Sequence, residues 1–389
     1  MGMTNGNERI SESRRGYEFL KRFQEEQKGE NASFNVFSDY LIAKAWEQNV
    51  PIIGQFELTP LCNFDCRMCY VHLTKDQMKE EILQPDQWKA LMHQAWEAGM
   101  IKAFLTGGEC LTYPGFEEIY LYLHSLGCEV YLLTNGSLLN DARIDFLKKH
   151  RPGNIQITLY GQNDDVYERV TGQRAFNQVK DAIRQLTDAG IAVRISITPS
   201  KYLGEDLLET VRTARKLSSW VDINPSLSIP REETGRSSQE HEADLDLYCR
   251  AYRLLRELNG KTVEEYPDVP LPEPGGPCNG EVRKGILCKG GRCDFVIDWK
   301  GGLYPCNRLR MIKAEPLNVG FRQAWQTINQ QVLNWIREPA CSGCPYETVC
   351  SPCAANVHRY SQTGGRPEEW CKRTVYFVHR GIYDIIKCN

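Results

Sequence analysis

The chain has 389 residues with 47 basic and 50 acidic side chains, a net charge of -3, so bulk electrostatics give no nucleic acid a reason to bind. That length supports a large domain plus a smaller one, and a core of that size needs no disulfide staples. The 16 cysteines therefore ask for another explanation, and they are unevenly placed: three lie near residue 65 and eight between 288 and 371. The opening MGMTNGNERISESRRGYEF has no apolar run of a secretory signal, and no window approaches the 18 apolar residues of a membrane span. The expectation is a cytoplasmic protein whose thiols stay reduced.

Residues 1–50 form a polar extension with two expected helices, ISESRRGYEFLKRFQEEQKG and NVFSDYLIAKAWEQN. Its expected roles are packing or partner binding. From residue 51 short apolar runs alternate with amphipathic ones: IIGQFEL, DQWKALMHQAWEAG, IKAFLTG, FEEIYLYLHSLG, CEVYLLTNG, LNDARIDFLKK, NIQITLY, FNQVKDAIRQLTDAG, IAVRISITP, DLLETVRTARKLSS and WVDINPSL. Six strand-then-helix units imply a parallel sheet covered by crossover helices. The expected fold class is α/β: a partial (β/α)6 TIM-like barrel over 51–240, open at the strands' C-terminal edge, with an open doubly wound sheet as the alternative. A helix, DLDLYCRAYRLLRELNG, and the linker VPLPEPGGP fill 241–274. Residues 275–389 are short of periodic elements and rich in cysteine, so their order is expected to come mainly from something other than a hydrophobic core.

In LCNFDCRMCYVH, the spacing C-x3-C-x2-C sets Cys62, Cys66 and Cys69 in the loop after the first strand. An all-thiolate set selects an iron-sulfur cluster or zinc. Structural zinc takes four protein ligands, whereas a 4Fe-4S cluster on three cysteines keeps one iron open. These residues, with Tyr70, resemble the signature of the radical S-adenosylmethionine (SAM) superfamily. The resemblance implies that the open iron chelates the methionine moiety of SAM. It also implies that an aromatic residue beside the last cysteine contacts adenine; Met68 stands before it and Tyr70 after it.

The following strand ends carry further candidates. AFLTGGECL resembles the family's GGE motif, so Gly107, Gly108 and Glu109 are expected at the cofactor's amino group, with Cys110 where the family usually has proline. LLTNGS places Asn135 and Gly136 at the pocket mouth. By family similarity Thr158 approaches the ribose and Arg169 pairs with the cofactor carboxylate, unless it is a solvated helix residue. On the fifth strand Arg194, Ser196 and Thr198 share one polar face, which makes Ser196 or Arg194 a pocket residue, and Asn224 ends the sixth.

The second cysteine field reads C288-x4-C293-x12-C306, then C341-x2-C344-x5-C350-x2-C353-x17-C371. Eight thiols suit two four-ligand sites, and spacing alone leaves two structural zincs as open as two clusters. The arrangement resembles the SPASM extension of radical SAM enzymes, which implies two auxiliary 4Fe-4S clusters. One would use Cys288, Cys293, Cys306 and Cys353, the other Cys341, Cys344, Cys350 and Cys371.

The resemblance implies three 4Fe-4S clusters, SAM, an electron donor such as flavodoxin or ferredoxin, and reductive cleavage of SAM to a 5'-deoxyadenosyl radical. Fully ligated auxiliary clusters favour electron relay and a net oxidation, with a ribosomally synthesised peptide crosslinked or thioether-bridged as the expected substrate. The 50-residue extension is shorter than the winged-helix module with which many relatives recognise a leader peptide, so recognition is expected at the barrel mouth, the cysteine-rich domain or a separate protein. Sulfatase maturases carry aspartate where YPCNRL has Asn307, which counts against protein oxidation of that kind. Oxidation of a small molecule and a non-enzymatic iron-sulfur or zinc protein are the other readings. Tyr70, Tyr160, Asp222 and Arg308 are the remaining guesses at an acid or base.

Overall fold

The computed structural model describes residues 32–78, 81–228, 230–231, 234, 241–265, 273–274, 283–337, 341, 344–350, 353–361 and 368–383. The first expected N-terminal helix, Cys278 and Cys388 lie outside these residues. The second N-terminal helix is present as α1 (Ala32–Gln48). It leads into β1 (Ile53–Glu57) and then α2 (Pro85–Glu97), β2 (Lys102–Thr106), α3 (Phe116–Ser125), β3 (Glu129–Thr134), α4 (Asp141–Lys149) and β4 (Ile155–Thr158). The fourth crossover holds two helices, α5 (Asp164–Thr171) and α6 (Phe176–Asp188); β5 (Val193–Ile197), α7 (Asp206–Leu217), β6 (Trp220–Ile223) and α8 (Leu245–Leu258) follow.

Local chemistry explains these elements. The α6 sequence sets Phe176, Val179, Ala182, Ile183 and Leu186 on one buried stripe, the spacing of a helix laid on a sheet. Asn163 caps α5 by accepting from the Val166 N–H, and Gly172 ends that helix at φ 73°, a left-handed conformation glycine adopts without strain. On β5, Ile195 and Ile197 are fully buried and alternate with Arg194 and Ser196, as strand geometry requires.

All six barrel strands pair in parallel, in the order β6-β5-β4-β3-β2-β1. The sheet then continues into the cysteine-rich region. There β7 (Asp294–Ile297) pairs in parallel with β1, Ile53 opposite Asp294, and β8 (Leu303–Tyr304) pairs antiparallel with β7. Four helices, α9 (Pro316–Val319), α10 (Phe321–Leu333), α11 (Glu347–Cys350) and α12 (Ala354–Ser361), precede α13 (Glu368–His379).

This corrects the expectation that the C-terminal region lacks a hydrophobic core. Phe295, Ile297, Phe321, Trp325, Ile328 and Val332 are buried in the same cluster as Phe56, Trp88 and Leu105 of the barrel. Phe56 meets both Trp88 and Phe295 edge to face, with ring centroids 6.0 Å apart. Only four residues of β7 carry the sheet pairing, too short a run for periodicity to reveal. Among the described residues no helix is long and apolar enough to cross a membrane.

Candidate active site

The C-x3-C-x2-C loop leaves β1 at the C-terminal edge of the sheet and is pinned there by main-chain bonds on both sides. The Gly108 N–H donates to the Thr59 carbonyl at 2.7 Å and the Glu109 N–H to the Leu61 carbonyl at 2.9 Å. From the other side the Asp65 and Arg67 N–H groups donate to the carbonyls of Thr171 and Val170 at the end of α5. The two glycines are what allow this approach. A Cβ on Gly107 would lie 2.4 Å from the Thr59 oxygen, and one on Gly108 2.4 Å from the Leu61 oxygen; Gly107 also has φ of +142°. The glycine pair thus packs on the backbone of the cysteine loop.

Glu109 is 1 % exposed, and the surrounding protein supplies donors to its carboxylate. Oε1 accepts from Thr134 Oγ1 at 2.7 Å and from the Leu111 N–H at 3.1 Å, while Oε2 accepts from the Asn135 N–H at 2.7 Å. Burial raises its pKa and these donors oppose the rise. Glu109 therefore ties the end of β3 to the turn after β2, and through that turn to the cysteine loop. The Cys110 thiol lies beside it, buried, 3.7 Å from Glu109 Oε1.

Asn135 reaches the thiols directly. Its Nδ2 donates to Cys62 Sγ at 3.7 Å and to Asn63 Oδ1 at 2.9 Å, and its Oδ1 accepts from the Ser137 N–H and hydroxyl. Asn63 Nδ2 donates in turn to Ser137 Oγ at 2.8 Å, closing a ring around the start of the loop. Asn63 and Ser137 were not identifiable from sequence, because a lone polar residue in a loop shows its role only when its partner arrives.

The sulfurs attract donors. The Phe64 N–H points to Cys62 Sγ at 3.4 Å and the His72 N–H to Cys69 Sγ at 3.3 Å. Burial pushes the Cys62 thiol up to about 12, so it needs a cationic partner to ionise near neutral pH. Tyr160, two residues past β4, has its hydroxyl hydrogen-bonded to Cys66; burial and the three thiols hold that phenol above its ordinary value. One buried and two half-buried thiols, the latter met by N–H donors, fit a thiolate-ligated iron-sulfur cluster, in which each cysteine takes a different iron. Among the described residues no three His, Cys, Asp or Glu side chains converge on the position of one ion.

Tyr70 links this loop to the cysteine-rich region. Its side chain hydrogen-bonds to Asn307, and burial followed by the Glu57 charge pushes the phenol up to about 12. Its carbonyl accepts from the Arg231 N–H at 2.9 Å. Arg231 forms a buried ion pair with Glu57, the last residue of β1, and its guanidinium stacks over Trp299 at 4.2 Å. Neither member of this pair was singled out in the sequence: Arg231 lies in a segment without periodicity, and Glu57 reads as an ordinary strand end.

Further along the sheet edge, Asn224 Nδ2 donates to Ser196 Oγ at 3.1 Å and to Thr198 Oγ1 at 2.9 Å. Thr158 sits opposite Ser196 in the β4–β5 register. Arg194, at the other end of β5, is instead paired with Asp222. Arg169 Nε donates to the Tyr202 carbonyl at 2.7 Å, and Nη2 donates to the Leu203 carbonyl and to Asp206 at the start of α7. These bonds tether α5 to α7.

The eight downstream cysteines fall into two neighbourhoods. Cys288 feels the charge of Cys353, Cys293 that of Cys288, and Cys306 that of both Cys288 and Cys353. Burial pushes Cys293 and Cys306 each up to about 12, and the Leu309 N–H donates to Cys306 Sγ at 3.3 Å. Cys341, Cys344, Cys350 and Cys371 line one pocket together with Tyr346, Trp370 and Thr374, whose hydroxyl donates to Cys350 Sγ at 3.3 Å.

A family model for the radical SAM superfamily matches residues 56–217, the span that contains the cysteine loop, the glycine pair and the strand ends just described. Residues 56–217 thus carry a radical SAM domain. It is 26 % identical over 342 residues to the AdoMet-dependent heme synthase of Methanosarcina barkeri, a match covering 82 % of this chain and 95 % of that protein. It is 29 % identical over 266 residues to the antilisterial bacteriocin subtilosin biosynthesis protein AlbA of Bacillus subtilis, covering 66 % of this chain and 55 % of AlbA. The chain thus spans about half of that relative's length. The solved structure of Streptococcus suis SuiB bound to precursor peptide SuiA superposes with a TM-score of 0.59 at 15 % identity, covering 88 % of this chain and 81 % of SuiB. That likeness establishes the shared fold: a partial radical SAM barrel followed by a cysteine-rich region that matches the SPASM region of relatives.

Proposed function

We propose that this radical SAM enzyme oxidatively modifies a peptide, forming a crosslink or thioether, and holds three 4Fe-4S clusters. Cys62, Cys66 and Cys69 hold the SAM-binding cluster, Cys288, Cys293, Cys306 and Cys353 a first auxiliary one, and Cys341, Cys344, Cys350 and Cys371 a second. When bound, these groups and SAM supply one-electron cleavage of the sulfonium and hydrogen abstraction from substrate. The observation that carries the reading is the separation of eight cysteines, interleaved in sequence, into two groups of four. Two complete four-thiol sets leave no iron open, which suits electron relay.

The chain's own residues prepare the site. Asn135, Asn63 and Ser137 fix the first thiol, the Glu109 carboxylate locks the strand ends, and Gly107 with Gly108 admits the loop against the sheet. Tyr70, Gly107, Gly108, Glu109, Asn135, Thr158 and Ser196 mark the edge where SAM binds, with Tyr70 beside the adenine. Arg169, bonded to Tyr202, Leu203 and Asp206, is left out of this set. Asn307 hydrogen-bonds Tyr70 and lacks the carboxylate a base requires, which separates this chain from sulfatase maturation. A peptide substrate is supported by AlbA's role in bacteriocin biosynthesis and by the precursor peptide bound to SuiB. A flavodoxin or ferredoxin supplies electrons in this reading, and a cytoplasmic setting, where thiols stay reduced, suits the cluster ligands.

A second reading, oxidation of a small molecule, is favoured by one observation: the match to the heme synthase runs along 95 % of that protein, against 55 % of AlbA. The deciding experiment has two parts. Anaerobic reconstitution should give about 12 irons per chain, and reduction with SAM should give 5'-deoxyadenosine, which Cys66→Ala abolishes while about 8 irons remain. Incubation with candidate precursor peptides should then yield a product lighter by two hydrogens. Iron near 4 with zinc in the tail would overturn the electron relay, and turnover of a tetrapyrrole with no change in any peptide would favour the second reading.

A further inference from the structure

The function proposed for the barrel and its cysteines leaves α1 unexplained. Its C-terminal half does not merely pad the barrel wall. Trp46 Nε1 donates to the carbonyl of Cys288 at 3.0 Å. The guanidinium of Arg292, one residue before Cys293, stacks on the Trp46 ring at 3.6 Å from its centroid. Arg292 also grips the end of the helix: Nε donates to Asn49 Oδ1 at 3.1 Å and Nη2 to the Trp46 carbonyl at 3.3 Å.

Packing and backbone lock this contact in place. Ala45, Ile52, Ile53 and Cys293 form a small buried cluster of their own, with Ile42, Trp46, Val50 and Phe104 against it, and Cys293 is fully buried. The Ile53 N–H donates to the Cys293 carbonyl at 3.0 Å. Asn49 turns the chain at φ 58°, an uncommon conformation for a residue other than glycine. Its carbonyl accepts from Trp325 Nε1 at 2.9 Å. Near the other end of the helix Lys102 Nζ donates to Ser38 Oγ at 2.9 Å. The loop clamped beneath is Cys288-Lys289-Gly290-Gly291-Arg292-Cys293, which supplies two of the four thiols of the proposed first auxiliary site.

We infer that α1 is a clamp on that auxiliary site, with Trp46 and Arg292 as positioning residues that hold the Cys288–Cys293 loop, Cys293 buried against the helix and Cys288 left exposed. The inference rests on the three-cluster reading given above. Outer-shell partners of metal ligands hold them in place, and their loss typically lowers metal retention by an order of magnitude or more. Neither Trp46 nor Arg292 touches substrate in this scheme, so their effect is on cluster retention.

The test uses the full reconstituted chain and an iron chelator, with iron release followed over time. Trp46→Ala should release about 4 of its 12 irons roughly tenfold faster than wild type, while the spectral response of the Cys62/Cys66/Cys69 cluster to SAM stays unchanged. Trp46→Phe, which keeps the ring but loses the N–H, should fall between the two. Phe37→Ala, on the same helix at a 61 % exposed position, should behave as wild type. Equal release from Trp46→Ala and wild type, or faster release spread over all the irons, overturns the inference. Should Trp46→Ala fail to fold, Arg292→Gln decides by the same criterion. A wild-type content near 4 irons sinks the three-cluster reading itself and this inference with it; full content with no selective release sinks only the inference.

Discussion

The two cysteine fields are built in opposite ways. The barrel loop holding Cys62, Cys66 and Cys69 is met by main-chain bonds from two turns and by a closed ring of side chains from Asn63, Asn135 and Ser137. The group formed by Cys341, Cys344, Cys350 and Cys371 lines one pocket, where Cys350 Sγ takes side-chain bonds from Thr374 and Trp370. The first field is tied into the barrel sheet; the second is expected to draw more of its order from the group it binds. The group around Cys288 and Cys293 lies between them, anchored by β7 on one side and by α1 on the other. Preorganisation at the first site is what SAM chemistry requires, since the open iron must stand at a fixed place relative to the pocket edge. A relay cluster needs only to be held and shielded.

Removing iron should expose this contrast most strongly. The apo protein should keep the α/β circular dichroism of the barrel, while limited proteolysis cuts between residues 341 and 371 at sites protected in the reconstituted enzyme. Equal protection in both states would mean that the second field is preorganised too. Next in size is Gly108→Ala, whose Cβ would press on the Leu61 and Pro60 carbonyl oxygens. A cost of about 3 kcal/mol in urea unfolding is expected, with loss of the SAM-binding cluster; retention of both would show that the loop can move aside.

Asn135→Ala removes donors to Cys62 and Asn63 and the acceptor for Ser137. It should destabilise the barrel by about 2 kcal/mol and speed the loss of the SAM-binding cluster while leaving the auxiliary irons alone. Matching losses at all three sites would break the claim that the ring serves the first field. The smallest effect is expected at Arg169. Its ion pair with Asp206 is partly exposed, so Arg169→Ala should cost about 1 kcal/mol and leave the SAM dissociation constant within about twofold of wild type. A much larger weakening of SAM binding would restore the cofactor role that the sequence resemblance implied and the hydrogen bonds argue against.

The strand ends show how legibility depends on where a residue's partners lie. The cysteine spacing, the glycine pair and Asn135 could be read because each sits in a local pattern: three thiols within eight positions, or a turn at the end of a strand. The partner-dependent residues could not. Tyr70 was a visible candidate, yet its contact with Asn307 spans more than two hundred residues, and the Glu57–Arg231 pair is separated by 174. The bonds of Arg169 were hidden for the same reason, because its own turn of helix gives no sign of Asp206, Tyr202 and Leu203 arriving from the next crossover.

By itself the sequence determined the parallel barrel, through six alternations of strand and helix periodicity, and the thiol chemistry, through ligand type and spacing, since both are local properties of the chain. The tertiary structure alone decided that β7 joins the barrel sheet beside β1 and that a shared core runs into the cysteine-rich region. It also decided that Trp46 of α1 meets Cys288. These are contacts between segments far apart in sequence, fixed by packing and by distant hydrogen-bond partners, and no local pattern encodes them.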